Sequence, residues 1–230
     1  SQFERYLNDK AKVLEVGCSF GGIIRQVAES GVAECHAIEP NKEDASFVEK
    51  LIPEIKLYSD SFEKVDLPEE FYDLVVSLQV LEHIASPGQF LEKTFRVLKQ
   101  GGVVNFEVPN HKAALLSYYQ DSDYSRFYYH KAHIHYFTSE SLTQLFQLCG
   151  FEGQANSFSM YPFFNHVFWH FNHGPQASFK DALTTPQPAL GKSKVPQEIN
   201  DFFIRVESQY EDMINRNEVG DCLLYQGRKK

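Results

Sequence analysis

The chain has 230 residues, 43% hydrophobic and 23% charged, which suits one globular domain of roughly 100–200 residues with an elaboration and sets aside disordered and fibrous classes. Its 22 Lys and Arg stand against 31 Asp and Glu, a formal net charge of −9, so the surface repels phosphate backbones and nucleic acid is not expected as a partner. The four cysteines (Cys18, Cys35, Cys149, Cys222) follow no zinc, redox or secreted-framework spacing, which predicts a reducing, cytoplasmic setting; no signal peptide is read, and the apolar stretch 74–81 is far shorter than the ~20 residues of a membrane span.

From Lys12 to Phe151, short β-branched runs alternate with amphipathic helical patterns, the signature of βαβ units and a parallel sheet. The first strand, 13–16, runs into Gly17-Cys18-Ser19-Phe20-Gly21-Gly22. Ile23, Ile24, Val27 and Ala28 then recur at helical spacing until Gly31 stops the helix. A second strand covers 34–38, followed by Glu39-Pro40 and a helix to about Leu51. The third, 55–59, ends at Asp60, and the fourth, 72–78, at Gln79-Val80-Leu81-Glu82-His83.

Ser86-Pro87-Gly88-Gln89 predicts the next helix start, with Ser at N-cap, Pro at N1 and Gln at N3. Gly101-Gly102 are expected to end that helix and open a fifth strand, 103–108. Regularity then lapses for nearly thirty residues and resumes where Thr138 is placed to cap a helix, with Phe137 and Leu142 as a hydrophobic staple. A sixth strand, 151–160, follows. The last, 222–226, comes after an insertion holding Pro162, Pro175, Pro186, Pro188 and Pro196, a linker-like stretch over 174–195, and an amphipathic helix over 197–215. That helix is expected either to cap a substrate pocket or to form the seam of a homodimer. The predicted division is one domain of residues 1–161 and 218–230, with 162–217 as a helical insertion. With no initiator Met and about eleven residues before the first strand, a covering helix or another domain is expected upstream.

In an open parallel sheet, ligands bind beyond the carboxyl ends of the strands. Five groups fall there. Gly17, Gly21 and Gly22 permit a tight turn and close backbone approach, Glu39 is placed for ribose hydroxyls, Asp60 for an adenine amino group with Phe62 on its face, and Gln79 to His83 and Pro109-Asn110-His111 close the fourth and fifth strands. Their order points to an adenosine-type ligand. A dinucleotide fingerprint, mapped on Gly17, Ser19 and Gly22, makes a nicotinamide oxidoreductase one alternative; a binding module without turnover is another.

The stretch 13–22 resembles motif I of the class I S-adenosylmethionine-dependent methyltransferases, with Glu15, Gly17 and Gly21 in register and Ser19 where a glycine usually stands. Segments 71–77 with 80–84, 95–104, and 137–142 to Gly150-Phe151 are similar to the same family. The resemblance implies a Rossmann-like α/β fold, a seven-stranded mostly parallel sheet with its last strand antiparallel, and S-adenosyl-L-methionine as cofactor. It implies a cofactor site of Glu15, Gly17, Cys18, Ser19, Gly21, Glu39, Pro40, Asp60, Ser61, Phe62, Leu78, Gln79 and His83. A serine at position 19 resists φ > 0, which leaves the shape of that loop open.

A hydroxyl acceptor needs its proton removed. His83, His111, His133 and His135 are the candidate bases, His133 and His135 first. The spacing of His130, His133 and His135, and of His166, His170 and His173, lacks a partner carboxylate at fixed spacing, so no metal is expected. The chain holds 20 Phe, 12 Tyr and one Trp; fifteen of these fall within 110–137 and 158–171. Tyr118, Tyr119, Tyr124, Tyr128, Tyr129 and Tyr136, interleaved with Asn110, Asp121, Asp123 and Arg126, suggest a pocket that stacks and hydrogen-bonds a sugar or sugar-nucleotide. A quinone precursor or natural product is the alternative acceptor.

Overall fold

The computed structural model describes residues 3–184, 191 and 193–230. Strands β1 (Lys12–Val16), β2 (Glu34–Ile38), β3 (Lys56–Tyr58), β4 (Tyr72–Leu78), β5 (Leu98–Pro109), β6 (Phe151–Phe158) and β7 (Cys222–Lys229) form one sheet in the order β3-β2-β1-β4-β5-β7-β6. β1 pairs in parallel with β2 and β4, β2 with β3, and β4 with β5. β7 is antiparallel, completing the Rossmann-like α/β sheet that the sequence predicts.

The chain divides into two compact units. One comprises the residues up to Val108 with Glu140–Ala155 and Leu224–Lys230; the other comprises Pro109–Ser139 with Asn156–Leu223. The stretch 162–217, expected as a helical insertion, lies inside the second unit together with 109–139.

In the first unit, the helices are α1 (Gly22–Glu29), α2 (Lys42–Leu51), α3 (Pro87–Val97) and α6 (Ser139–Leu148). Val13 and Leu14 are fully buried, as a central parallel strand covered on both faces requires. Val13 packs with Phe3, Val27, Leu74, Val76 and Val103, while Cys18, Ile24, Ala37, Val48 and Ile52 form a second cluster. An aromatic column runs Phe90, Phe106, Phe146, Tyr225, with ring centroids 6.2, 5.2 and 3.8 Å apart. Each such side chain contributes about 1.5–3 kcal/mol by burial.

Two local expectations are corrected. α3 starts at Pro87 as predicted, but the Ser86 side chain makes no capping hydrogen bond; the proline at N1, with its fixed helical φ, marks the start instead. Gly101 and Gly102 do not end α3, which stops at Val97. They lie inside β5, where Tyr72 faces Leu98 but Leu74 already faces Val103, so 99–102 bulge outward. Gly101 has φ +75, and a Cβ on Gly102 would come within 2.8 Å of the Lys99 carbonyl oxygen. Beside this bulge, Asp73 Oδ2 accepts the Lys12 backbone N–H at 2.9 Å and lies 2.7 Å from Lys99 Nζ.

The second unit holds α4 (Ala114–Ser117), α5 (Ser122–Tyr128), α7 (Phe163–Asn172), α8 (Phe179–Ala182) and α9 (Lys194–Arg216). α9 includes the predicted helix 197–215. α8 forms within the linker-like stretch 174–195, capped by the Ser178 hydroxyl; residues 185–190 and 192 of that stretch, with Pro186 and Pro188, lie outside the described residues. Two clusters organise the unit, Ala114 with Tyr210, Ile214 and Val219, and Leu115 with Tyr124, Tyr128 and Trp169. Among the described residues no helix is long and apolar enough to cross a membrane.

Candidate cofactor site

The loop after β1 is built by backbone freedom that side chains would forbid. Gly17 has φ +80, and a Cβ there would lie 2.4 Å from Val80 Cγ2. Its N–H and that of Cys18 both donate to the Ile38 carbonyl, at 2.8 and 3.2 Å. Ser19 does adopt the left-handed region, at φ +45. Its N–H is held by Glu39 Oε2 at 2.8 Å, an interaction that offsets the strain the sequence anticipates. The Cys18 side chain is buried among Ile24, Ala37, Val48 and Ile52, and burial pushes its thiol up to about 12. Cys18 therefore offers the site its backbone only.

Glu39 ends β2 with its carboxylate buried. Oε1 accepts the Asn41 N–H at 2.9 Å, and Asn41 in turn caps α2. Pro40 between them is exposed. Glu15, on β1, is 3% exposed. Burial pushes its carboxyl up to about 8, the Ile24 backbone N–H opposes this, and the charge of Glu39 adds to it. Among the described residues Glu15 Oε2 has no hydrogen-bond partner, a costly state for a buried oxygen. An acidic, buried corner with one unsatisfied oxygen suits a cationic ligand.

At the end of β3, Asp60 is exposed and accepts the Ser61 N–H at 2.7 Å, a bond that holds its carboxyl below the usual carboxylate range. Phe62 does not stand beside these groups as an open face; it is buried at 4.6 Å from the Phe90 ring, in the core. Leu78 is half-buried at the end of β4. Gln79 turns the chain at φ +56, its N–H donating to the Glu107 carbonyl at 2.8 Å and its Nε2 to Glu107 Oε1 at 2.9 Å.

A short 3-10 turn, Leu81–His83, follows. Glu82 in it is 1% exposed, and burial pushes its carboxyl up to about 7, with the Glu107 charge adding. Burial also raises Glu107, opposed by the Gln79 hydrogen bond. His83 is partly exposed, with Nε2 3.8 Å from Glu82 Oε1. The sequence places Glu82 within the Gln79 to His83 group without a role of its own and does not single out Glu107. The available signal was a carboxyl set inside an apolar run at a strand end, Val80-Leu81-Glu82 and Phe106-Glu107-Val108.

The other predicted residues lie in the second unit. His111 is exposed, its Nδ1 3.3 Å from the Tyr129 hydroxyl. The His133 ring lies 3.9 Å from that of His130, and His135 stacks on Phe137 at 6.0 Å. Tyr124 and Tyr128 pack in the cluster with Trp169. Asp121 caps α5, Asp123 pairs with Arg126, and buried Asn110 donates to the Gly220 carbonyl at 2.8 Å.

Comparison with known proteins accords with this geometry. The methyltransferase domain family matches residues 1–156. A "probable S-adenosylmethionine-dependent methyltransferase" of Mycolicibacterium smegmatis is 29% identical over 143 residues, 61% of this chain and 51% of that protein. A ubiquinone biosynthesis O-methyltransferase of Rickettsia conorii is 30% identical over 108 residues, 45% of this chain and 37% of that protein. The chain thus spans about half, or less, of the length of these relatives. Among solved structures, an S-adenosylmethionine-dependent methyltransferase from Mesorhizobium loti shares the fold with a TM-score of 0.62 at 13% identity, over 99% of this chain and 96% of that one. The glycine cradle at Gly17 and the unsatisfied oxygen of Glu15 fit a nucleoside carrying a positive charge. The chain belongs to the methyltransferase domain family, and its cofactor is S-adenosylmethionine.

Proposed function

We propose that the protein transfers a methyl group to a hydroxyl of a small-molecule acceptor. The cofactor supplies, when bound, a methyl group activated on a cationic sulfur. The loop 17–21 is assigned to its methionine part, Glu39 to the ribose, Asp60 and Ser61 to the adenine, and Leu78-Gln79 to the neighbourhood of the sulfur. Glu15 balances positive charge. The observation that carries the reading is Glu39, a buried carboxylate at the end of β2 that also orders the Ser19 loop. Holding the reactants in line supplies roughly 7–11 kcal/mol of such a barrier.

Oxygen as the acceptor atom is supported by Glu82, whose carboxyl is poised at about 7 by burial. A base with that affinity takes a hydroxyl proton at neutral pH, for a gain of about 10²–10⁴-fold. Relatives named as ubiquinone biosynthesis O-methyltransferases point the same way. His83 is assigned to orient that carboxyl; His111, His133 and His135 remain alternative bases.

Of the two acceptor classes raised by the sequence, the quinone-precursor or natural-product class is better supported than a sugar. Asn110, Asp121, Asp123 and Arg126 are engaged by their own chain, and Tyr124 and Tyr128 are core residues, so few polar groups remain for a sugar ring. Isothermal calorimetry with S-adenosylmethionine and its demethylated product tests the cofactor assignment, with Glu39→Ala as control. Radiolabelled methyl transfer to hydroxylated aromatic and sugar acceptors, in wild type and Glu82→Gln, tests the rest; transfer to a sugar alone rejects this choice of acceptor.

A further inference from the structure

The second unit contains a pocket of about 340 Å³ lined by Ala114, Tyr119, Tyr210, Met213, Ile214, Asn217 and Val219, with Tyr118 at its exposed rim. Apart from the phenols and Asn217, whose Nδ2 donates to the Met213 carbonyl at 2.7 Å, its wall is largely aliphatic. Behind it runs a buried hydrogen-bonded series. Tyr119 and Tyr210 hydroxyls lie 3.0 Å apart, the Tyr210 hydroxyl lies 2.6 Å from His166 Nδ1, and His166 Nε2 lies 2.9 Å from Asp221 Oδ1. His166 and Asp221 are 0% and 3% exposed.

Part of this series is structural. Asp221 Oδ2 accepts the backbone N–H groups of Met160 and Tyr161, both at 3.1 Å, and so fixes the turn before α7. That role extends to the imidazole, since the Tyr210 hydroxyl satisfies the buried His166 Nδ1 at 2.6 Å, but it does not extend to Tyr119, whose hydroxyl meets that of Tyr210. A phenylalanine at 119 would keep the packing and leave the Tyr210–His166 bond in place, so packing and hydrogen bonding within the unit do not call for this phenol. The two hydroxyls serve each other, the imidazole and the pocket.

Proton direction follows from donor arithmetic. A carboxylate oxygen can only accept, so His166 Nε2 is the donor to Asp221 Oδ1. With a single proton on the ring, Nδ1 accepts from the Tyr210 O–H, and the Tyr210 oxygen accepts from the Tyr119 O–H. The Tyr119 oxygen is then left with lone pairs in a wall whose other polar side chain besides the phenols, Asn217, donates to the Met213 carbonyl. It calls for a ligand that donates one hydrogen bond and is otherwise hydrophobic.

We propose that this pocket binds a hydroxylated aromatic ring, its O–H donated to the Tyr119 phenol oxygen. Binding stands on this geometry alone; that the ring belongs to the methyl acceptor rests on the function proposed above. The volume matches small-ligand pockets, which begin at about 300 Å³.

The test uses the full chain with its Met213 and Ile214 methyl groups labelled for NMR, titrated with p-cresol and with 4-methylanisole, in which a methyl group replaces the O–H proton. Imidazole ¹⁵N shifts of His166 identify a pH at which the ring carries one proton. Both labelled methyls are expected to shift, with p-cresol binding about fivefold more tightly than 4-methylanisole, and Tyr119→Phe is expected to abolish that difference while the shifts persist. Absence of shifts at these methyls, equal affinity of the two compounds in wild type, or a preference that survives in Tyr119→Phe overturns the proposal. Calorimetry of the demethylated cofactor on the same samples keeps this result separate from the cofactor assignment, because retained heat with no p-cresol shift rejects the pocket alone.

Discussion

Glu39 Oε2 accepts the Ser19 backbone N–H at 2.8 Å, joining the end of β2 to the turn after β1 across twenty residues of sequence. The same carboxylate holds the Asn41 N–H. One side chain thus ties two consecutive ligand loops, and its loss is expected to cost on the order of 1.5–3 kcal/mol per bond. Glu39→Ala should lower the urea unfolding free energy by about that amount without cofactor, and calorimetric affinity for S-adenosylmethionine should fall as well. Glu39→Gln, which keeps an acceptor oxygen, should recover part of the stability and little of the affinity.

Ser19 at φ +45 carries strain that a glycine does not. A non-glycine residue there costs roughly 1–2 kcal/mol, of which glycine's greater freedom in the unfolded chain returns part. Ser19→Gly should raise unfolding free energy by about 0.5–1 kcal/mol. Gly17→Ala should do the opposite, losing about 1–3 kcal/mol, because its Cβ meets Val80 Cγ2 at 2.4 Å in a left-handed backbone. Denaturant titration of both variants decides the pair.

The raised carboxyl of Glu15 makes stability depend on pH. Folded, it keeps its proton to about pH 8; unfolded, it releases it near the ordinary value of 4.5. Between those limits the folded chain holds the extra proton, so stability is greatest at the acid end and falls as pH rises. The full loss is on the order of 5 kcal/mol, and Glu82, raised to about 7, acts in the same direction. Melting temperatures should decline from pH 5 to 8 in wild type and more gently in Glu15→Gln. Binding a cationic cofactor favours the ionised carboxyl, so calorimetry in buffers of different ionisation enthalpy should show proton release below pH 8.

Glu82→Gln should lower turnover by about 10²–10⁴-fold while leaving cofactor affinity within a small factor. The pH–rate profile of wild type should rise through about 7, the value of the Glu82 carboxyl, and that limb should vanish in the variant. An unchanged profile would move the base to His111, His133 or His135.

The sheet was legible because its signals are local and repeated. Val13 to Val16 and Tyr72 to Leu78 read as buried strands, and the cofactor loop followed from their ends. What was not legible depends on tertiary placement. Gly101-Gly102 look the same whether they end a helix or form a bulge, and only pairing of Tyr72 with Leu98 distinguishes these. Phe62 next to Asp60 suggested a stacking face, but the ring is taken by Phe90. Glu82 and Glu107 gain their properties from burial, which no short window reveals. The tyrosine-rich stretch stands out in the sequence, yet which phenols face a pocket depends on Tyr210, 91 residues beyond Tyr119, and on His166, 44 residues before Tyr210.

The Asp73 carboxylate, which accepts the Lys12 backbone N–H and sits against the Lys99 ammonium, fastens β1, β4 and the bulge of β5 at the amino-terminal rim of the sheet. The loops proposed to hold the ligand follow the carboxyl ends of the strands, at the opposite rim. The Asp73 clamp therefore shares no amino acid with the proposed site, so positions facing an acceptor can change without disturbing it.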